Sequence, residues 1–226
     1  MKNTKFVHII SRPIQRALRR NALTGTLYAI ASLRFGANCY LRDQGWWESF
    51  RARGAVDGNW LPIPWYTYPA IDFLSGRVKS DWEVFEYGSG HSTLWWARHV
   101  AQVTSCEHDA KWLDIVETRR PGNVSLLHRD TGNGGYARVL EDYPARFDVV
   151  VIDGMERVEC ARYAAPALNA GGIVIWDNSE QEKYNSGMDL LQGQGFKRLD
   201  FDGPGPGAVR GWSTSVFYRT GNCLGL

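Results

Sequence analysis

From residue 69 onward the apolar positions fall into short runs that alternate with helical periods. Glu83–Tyr87, Gln102–Glu107, Val124–His128, Phe147–Ile152 and Ile173–Trp176 read as strands. Interleaved with them, Ser92–His99, Ala110–Arg119, Val158–Leu168 and Gly187–Gln194 carry apolar residues three to four apart and read as helices, and a further helix starts in Pro69–Leu74. Phe147–Ile152 and Ile173–Trp176 are almost continuously apolar, the pattern of strands buried on both faces, so the alternation predicts a parallel sheet covered by helices on either side. Phe196–Phe201 and Thr214–Arg219 are strands joined by the Gly/Pro-rich stretch 203–207 with no helix between them, which predicts an antiparallel pair at one edge. The expected fold class is α/β: a doubly wound, mostly parallel, seven-stranded sheet with an antiparallel last strand.

The start of the chain has a different pattern. Residues 6–35 read as helix in two pieces, with Pro13 early in the first and Gly25 and Gly36 as punctuation. Between 43 and 68 the rings of Trp46, Trp47, Trp60, Trp65, Tyr66 and Tyr68 lie among glycines and prolines, which reads as loop. Those rings either plug the flank of the core or wall a pocket. The reading divides the chain into an N-terminal basic helical and aromatic-rich extension, 1–68, and an α/β domain, 69–226.

Charge sharpens that division. The net charge is only +2, yet residues 1–42 hold eight Lys or Arg and no Asp or Glu, so the remainder has 18 basic against 24 acidic residues. An acidic main domain lacks the basic face that nucleic acid requires. The Arg-rich start fits a solvated helix, an organellar transit peptide or an amphipathic helix in peripheral membrane contact, and it has no compact apolar block of the secretory kind. No run reaches the ~18 apolar residues of a spanning helix. Four cysteines without CxxC spacing fit a cytoplasmic chain. A homo-oligomer is left open.

In a parallel sheet the ligand sits beyond the carboxyl ends of the strands, so the loops there are where chemistry is expected. The first loop runs Glu86-Tyr87-Gly88-Ser89-Gly90-His91-Ser92-Thr93, in which Gly88 and Gly90 allow a tight turn and close approach of a ligand to the backbone. A dinucleotide fingerprint would place Gly where Thr93 stands, and Glu86 would repel a pyrophosphate while favouring an ammonium. These two residues favour S-adenosylmethionine over NAD, with a nicotinamide-dependent oxidoreductase as the rival reading and a non-catalytic nucleotide-binding scaffold as a third. Glu107, nineteen residues beyond Gly88, is placed to accept hydrogen bonds from ribose hydroxyls, with His108 against the adenine and Asp130 toward its amino group.

With those pieces in place, residues 83–219, about 60% of the chain, resemble a class I S-adenosylmethionine-dependent methyltransferase, a Rossmann-like fold. The matching segments are Glu86-x-Gly88-x-Gly90, Glu107, Phe147–Gly154, Gly171–Asn178 and Thr214–Arg219. The resemblance implies a cofactor site of Tyr68, Glu86, Tyr87, Gly88, Ser89, Gly90, Ser92, Thr93, Glu107, His108, Asp130 and Asp153. It implies methyl transfer to an oxygen of a small polar acceptor, a sugar or phenol, with Asp153 or Asp177 as base. Asp153, Asp177 and Asn178 also resemble the trio that holds Mg2+ in catechol-type O-methyltransferases. The departure is Glu156, where those enzymes carry a Lys. The acceptor's identity is expected to reside in the 43–68 segment and the 129–144 and 179–189 loops.

Overall fold

The computed structural model describes residues 22–35, 39–132 and 134–226. The first helical piece expected after residue 6, with Pro13, and the punctuating Gly36 lie outside the described residues. Those described divide into two compact units, one running through Leu61 and including Pro206–Ala208, the other formed by Pro62–Gly205 and Val209–Leu226.

In the first unit, α1 (Ala22–Phe35) passes straight through Gly25, since a single glycine weakens a helix without breaking it. The stretch after 43, read as loop, contains helix. After the short α2 (Tyr40–Asp43) comes α3 (Trp46–Ala52), in which Trp46 and Phe50, four apart, stack with ring centroids 5.6 Å from each other. Gly45 opens α3 at φ +80°, where a Cβ would lie 2.3 Å from the Asp57 carbonyl carbon. Ser49 then closes the following loop, its Oγ donating to Val56 O at 2.6 Å and accepting from Val56 N at 3.0 Å.

In the second unit, α4 (Tyr68–Ser75) begins with Pro69 in its first turn, where the missing N–H costs nothing. Then β1 (Glu83–Tyr87), α5 (His91–Ala97), β2 (Gln102–Glu107), α6 (Ala110–Glu117) and β3 (Val124–His128) alternate as the pattern predicts. They are followed by α7 (Gly135–Arg138), β4 (Phe147–Ile152), α8 (Arg157–Ala167), β5 (Leu168–Asp177), α9 (Asn185–Gly193), β6 (Lys197–Pro204) and β7 (Gly211–Tyr218). The seven strands form one sheet in the order β3-β2-β1-β4-β5-β7-β6. Strands β1 to β5 pair in parallel, and β7 runs antiparallel to both β5 and β6. The Gly/Pro stretch is shorter as a loop than expected, because Gly203 and Pro204 still pair with Trp212 and Gly211.

Alternation along β1 sends Phe85 and Tyr87 to one face and Val84 and Glu86 to the other. The first face joins Val150, Ile152, Val174 and Trp176 with the small residues Cys160, Ala161 and Ala164 of α8 in one buried cluster. Because β1 to β5 are parallel, their carboxyl ends reach one rim together, and the order reverses between β1 and β4. That crevice is where a ligand is accommodated in such sheets.

Candidate functional site

The turn after β1 is built on Gly88, whose φ of +88° puts its backbone within reach of the β4 end. A Cβ here would lie 3.2 Å from Gly154 Cα. Gly154 is tighter still: its Cβ would fall 2.0 Å from the hydroxyl oxygen of the buried Tyr136. Two glycines therefore let the β1 and β4 loops close on one another and leave a cleft of about 440 Å³ above them. It is lined by Gly88, Ser89 and Ser92 from the first loop, Glu107 to Asp109 with Trp112 from the second, and Asp153 to Met155 with Arg157 from the fourth.

Glu107 forms the floor on the β2 side. Its Oε2 accepts from Ser89 N (3.1 Å) and Ser89 Oγ (3.3 Å), its Oε1 from His108 N (2.8 Å) and Asp109 N (2.9 Å), and His108 Nδ1 stands 2.8 Å from Oε1. A carboxylate offers about four lone-pair positions, so an incoming hydroxyl pair must displace Ser89 Oγ, while His108 Nδ1 lies close by without a hydrogen-bond partner of its own. The backbone donors would stay and keep the carboxylate aimed. Asp109 caps α6 through Lys111 N and Trp112 N, and this seats Trp112 so that its Nε1 donates to Ser89 O at 2.7 Å.

Glu86 departs from its expected place beside a ligand ammonium. It faces the opposite side of β1 from Tyr87, is fully buried beneath the turn, and does not line the cleft. Its Oε2 accepts from Thr93 Oγ1 at 2.5 Å and Ser105 Oγ at 3.4 Å, while Oε1 has no hydrogen-bond partner in the structure. Burial pushes its carboxyl up to about 8, only partly offset by hydrogen bonds from Ser92 and Thr93, and the negative Asp153 adds to the rise. Sealed beneath the turn and absent from the cleft lining, Glu86 is not placed to meet a ligand ammonium. Its work is internal: Thr93 Oγ1 also accepts from Gly90 N at 2.9 Å, so Glu86 and Thr93 together hold the glycine turn in shape.

The remaining expected residues separate into two groups. Gly88, Ser89, Ser92, Glu107, His108 and Asp153 come together around the cleft. Gly90 supports the turn through Thr93. Tyr87 and Tyr68 are buried, Tyr87 donating its hydroxyl to Ala137 O at 2.5 Å. Asp130 is 75% exposed, its carboxylate 4.0 Å from His128 Nε2, and lies outside the lining residues.

The oxygens at the ends of β4 and β5 do not fit a metal ion. Arg157 Nη2 donates to Asp153 Oδ1 (3.0 Å) and Asp153 O (2.9 Å), Nη1 to Asp177 O and to Asn178 Oδ1 (3.3 Å), and Nε to Gly154 O (2.9 Å). A guanidinium thus lies where the ion of the expected trio would have to lie. The Asp177 side chain is also engaged elsewhere, its Oδ1 accepting from Thr214 Oγ1 at 2.5 Å and Trp212 Nε1 at 3.0 Å. Among the described residues no cluster of three His, Cys, Asp or Glu is arranged to hold a metal. Asp153 and Asn178, expected as metal ligands with Asp177, are bound instead by Arg157, and the Asp177 carboxyl by Thr214 and Trp212.

The two aspartates also differ in character. Burial raises Asp177 well above the usual carboxylate range and Asp153 raises it further, and its side chain is tied to β7 through Thr214 and Trp212. Asp153 retains 23% side-chain exposure. Burial lifts it to about 6 and Arg157 opposes that rise, which leaves it ionised at neutral pH.

Trp112, Met155 and Arg157 were not anticipated at the cleft. The N-cap Asp109 could have located Trp112 three residues on, and Met155 follows directly on Asp153-Gly154. Nothing in the sequence showed that Glu156, at φ +47°, would turn Arg157 inward. A second cavity of about 680 Å³ shares Gly154, Met155 and Arg157 with the cleft and is completed by residues including Gly132, Glu156, Lys183 and Tyr184. Gly132 and the Lys183-Tyr184 pair come from the two loops expected to determine the acceptor.

No family model matches the chain, and no curated protein matches it. Among solved structures it is similar to a precorrin-8w decarboxylase of Methanobacterium thermoautotrophicum, with TM-score 0.51 and 18% identity over 74% of this chain and 97% of that one. It is also similar to a precorrin-6y C5,15-methyltransferase from Geobacter metallireducens (TM-score 0.51, 14% identity, 67% and 87% covered). A third is the spermidine synthase of Thermotoga maritima (TM-score 0.50, 13% identity, 68% and 61% covered). The three bear names of different reactions, and at such identities the likeness shows the fold: the chain has the seven-stranded, mostly parallel Rossmann-like architecture found in these proteins.

Proposed function

We propose that the protein is an S-adenosylmethionine-dependent methyltransferase acting on an oxygen of a small polar acceptor, such as a sugar or phenol. The observation that carries the reading is the pairing of Glu107, a buried carboxylate aimed by backbone donors, with the Gly88 turn across one cleft of suitable size. The methyltransferase name of one similar structure agrees with it. S-adenosylmethionine supplies an electrophilic methyl carbon for an in-line displacement. The protein's share is alignment and a proton acceptor. Glu107, Ser89 and His108 would hold the ribose, and Met155 and Trp112 offer apolar surface. Asp153, ionised and partly exposed in the same cleft, is the group able to take the acceptor's proton.

The neighbouring cavity gives that acceptor room, and its mixture of Glu156, Lys183 and the Tyr184 ring suits a polar or aromatic compound. The test is incubation of the full chain with isotopically methyl-labelled S-adenosylmethionine and a metabolite extract, followed by mass spectrometry. A labelled product absent from the Asp153→Asn reaction supports the reading. Label confined to unreacted cofactor across extracts that contain phenols and sugars counts against it.

We also infer contact with an anionic membrane surface through the start of the chain. In α1, Leu27, Ile30 and Leu33 point to solvent, an arrangement that leaves apolar area in water. They belong to the segment 1–42, in which all eight charged residues are basic. Apolar side chains in a segment whose charges are basic suit an anionic bilayer. Among the described residues no helix is long and apolar enough to cross one.

A further inference from the structure

Five oxygen atoms at the ends of β4 and β5 converge on one side chain. They are the carbonyls of Asp153, Gly154 and Asp177, the carboxylate Oδ1 of Asp153 and the amide Oδ1 of Asn178, and each accepts from the Arg157 guanidinium. Arg157 has five N–H donors, so all are engaged and none is left to reach a substrate. Its side chain is only 10% exposed, and the Tyr184 ring lies 5.2 Å from the guanidinium carbon. An all-oxygen set with one carboxylate is the chemistry that attracts hard divalent cations. Both backbone turns that shape it sit in the left-handed region at non-glycine residues, Glu156 at φ +47° and Asn178 at φ +55°. Such conformations persist where surrounding bonds hold them.

We propose that Arg157 is a built-in cation of this site: its guanidinium occupies the oxygen-lined position between β4 and β5, excludes a divalent ion from it, and fixes the Asp153 carboxylate toward the cleft. Arg157 is then a positioning residue, acting through Asp153. The inference goes beyond the proposed methyl transfer and does not depend on it, because the prediction concerns metal binding in the absence of turnover. Removing the guanidinium takes away the donor that these five oxygens share, and a divalent cation can take its place among them.

The experiment is electron paramagnetic resonance titration of Mn2+ into the full-length protein after chelator treatment. Wild type is expected to leave the free Mn2+ signal unchanged. Arg157→Ala is expected to bind one Mn2+ per chain at least about tenfold more tightly than wild type and to gain thermal stability from it, and Asp153→Asn in that background should abolish both effects. Arg157→Gln serves if the alanine variant does not fold. A folded Arg157 variant with no more Mn2+ affinity than wild type overturns the proposal. Saturable Mn2+ binding by wild type that Asp153→Asn removes overturns it independently, since it would mean the guanidinium yields its place. Failure of methyl transfer with any acceptor would leave these signals unaffected.

Discussion

Burying Glu86 beneath the glycine turn ties its protonation to folding. Its folded value of about 8 lies above that of the unfolded chain, so the folded state holds a proton that the unfolded state has lost between about pH 4.5 and 8. Stability should therefore be greatest at the acidic end of that window and fall by roughly 1.4 kcal/mol per pH unit toward pH 8. Glu86→Gln removes the ionisation but keeps the shape. In urea denaturation, wild type should lose a few kcal/mol relative to this variant between about pH 5 and 8; a constant difference would mean that Glu86 is ionised in the fold. For Asp153 the sign concerns activity: as proton acceptor it must be charged, so the rate should rise with pH through about 6 and then level. A rate falling over that interval would remove Asp153 as base. The place of Glu107 was legible from its spacing to Gly88. The role of Glu86 was not, because a strand pattern reports alternation and not which face is sealed.

Between the elements, a tight fit lies where the β4 loop meets Tyr136 of α7 beside the β1 turn. Gly154→Ala would drive a methyl into the Tyr136 hydroxyl and should cost about 1–3 kcal/mol of stability, the range of overpacked sites. Tyr136→Phe deletes the offending oxygen, so the double variant should recover part of that loss in thermal or urea unfolding. No recovery would place the strain instead at Gly88 N, the next atom at 2.9 Å. The strands and most helices of this unit were legible because apolar runs of five or six residues alternate with helical periods. The 43–68 segment was not: its glycines and prolines read as loop, and the α3 signal rests on the single i,i+4 pair Trp46–Phe50. The apolar side chains of α1 yield a separate prediction. The full chain should float with anionic vesicles, less so at high salt, and Leu27→Asp with Ile30→Asp should weaken this, whereas equal behaviour with zwitterionic vesicles would exclude charge-assisted contact.

At the scale of the molecule, the sheet order β3-β2-β1-β4-β5-β7-β6 brings the carboxyl ends of β1, β2 and β4 to one crevice, and the reading of the chain as α/β with an antiparallel last strand holds throughout. The cleft was legible as far as backbone turns and the acid ending β2 define it. The inward Arg157 was not, since it depends on a left-handed residue that composition and spacing do not reveal. Similar folds belong to proteins named for a decarboxylation, a methylation and a synthase reaction, so ligand binding and not architecture decides the chemistry. The most direct measurement is isothermal titration of the full-length protein with S-adenosylmethionine, S-adenosylhomocysteine and NAD, alongside Glu107→Ala. The account predicts saturable one-to-one binding of the first two and none of NAD. It also predicts an affinity loss of about 10- to 150-fold in the variant, the worth of roughly 1.5–3 kcal/mol for hydrogen bonds to a charged acceptor. Binding of NAD in preference to S-adenosylmethionine, or unchanged affinity in a folded Glu107→Ala protein, would contradict it.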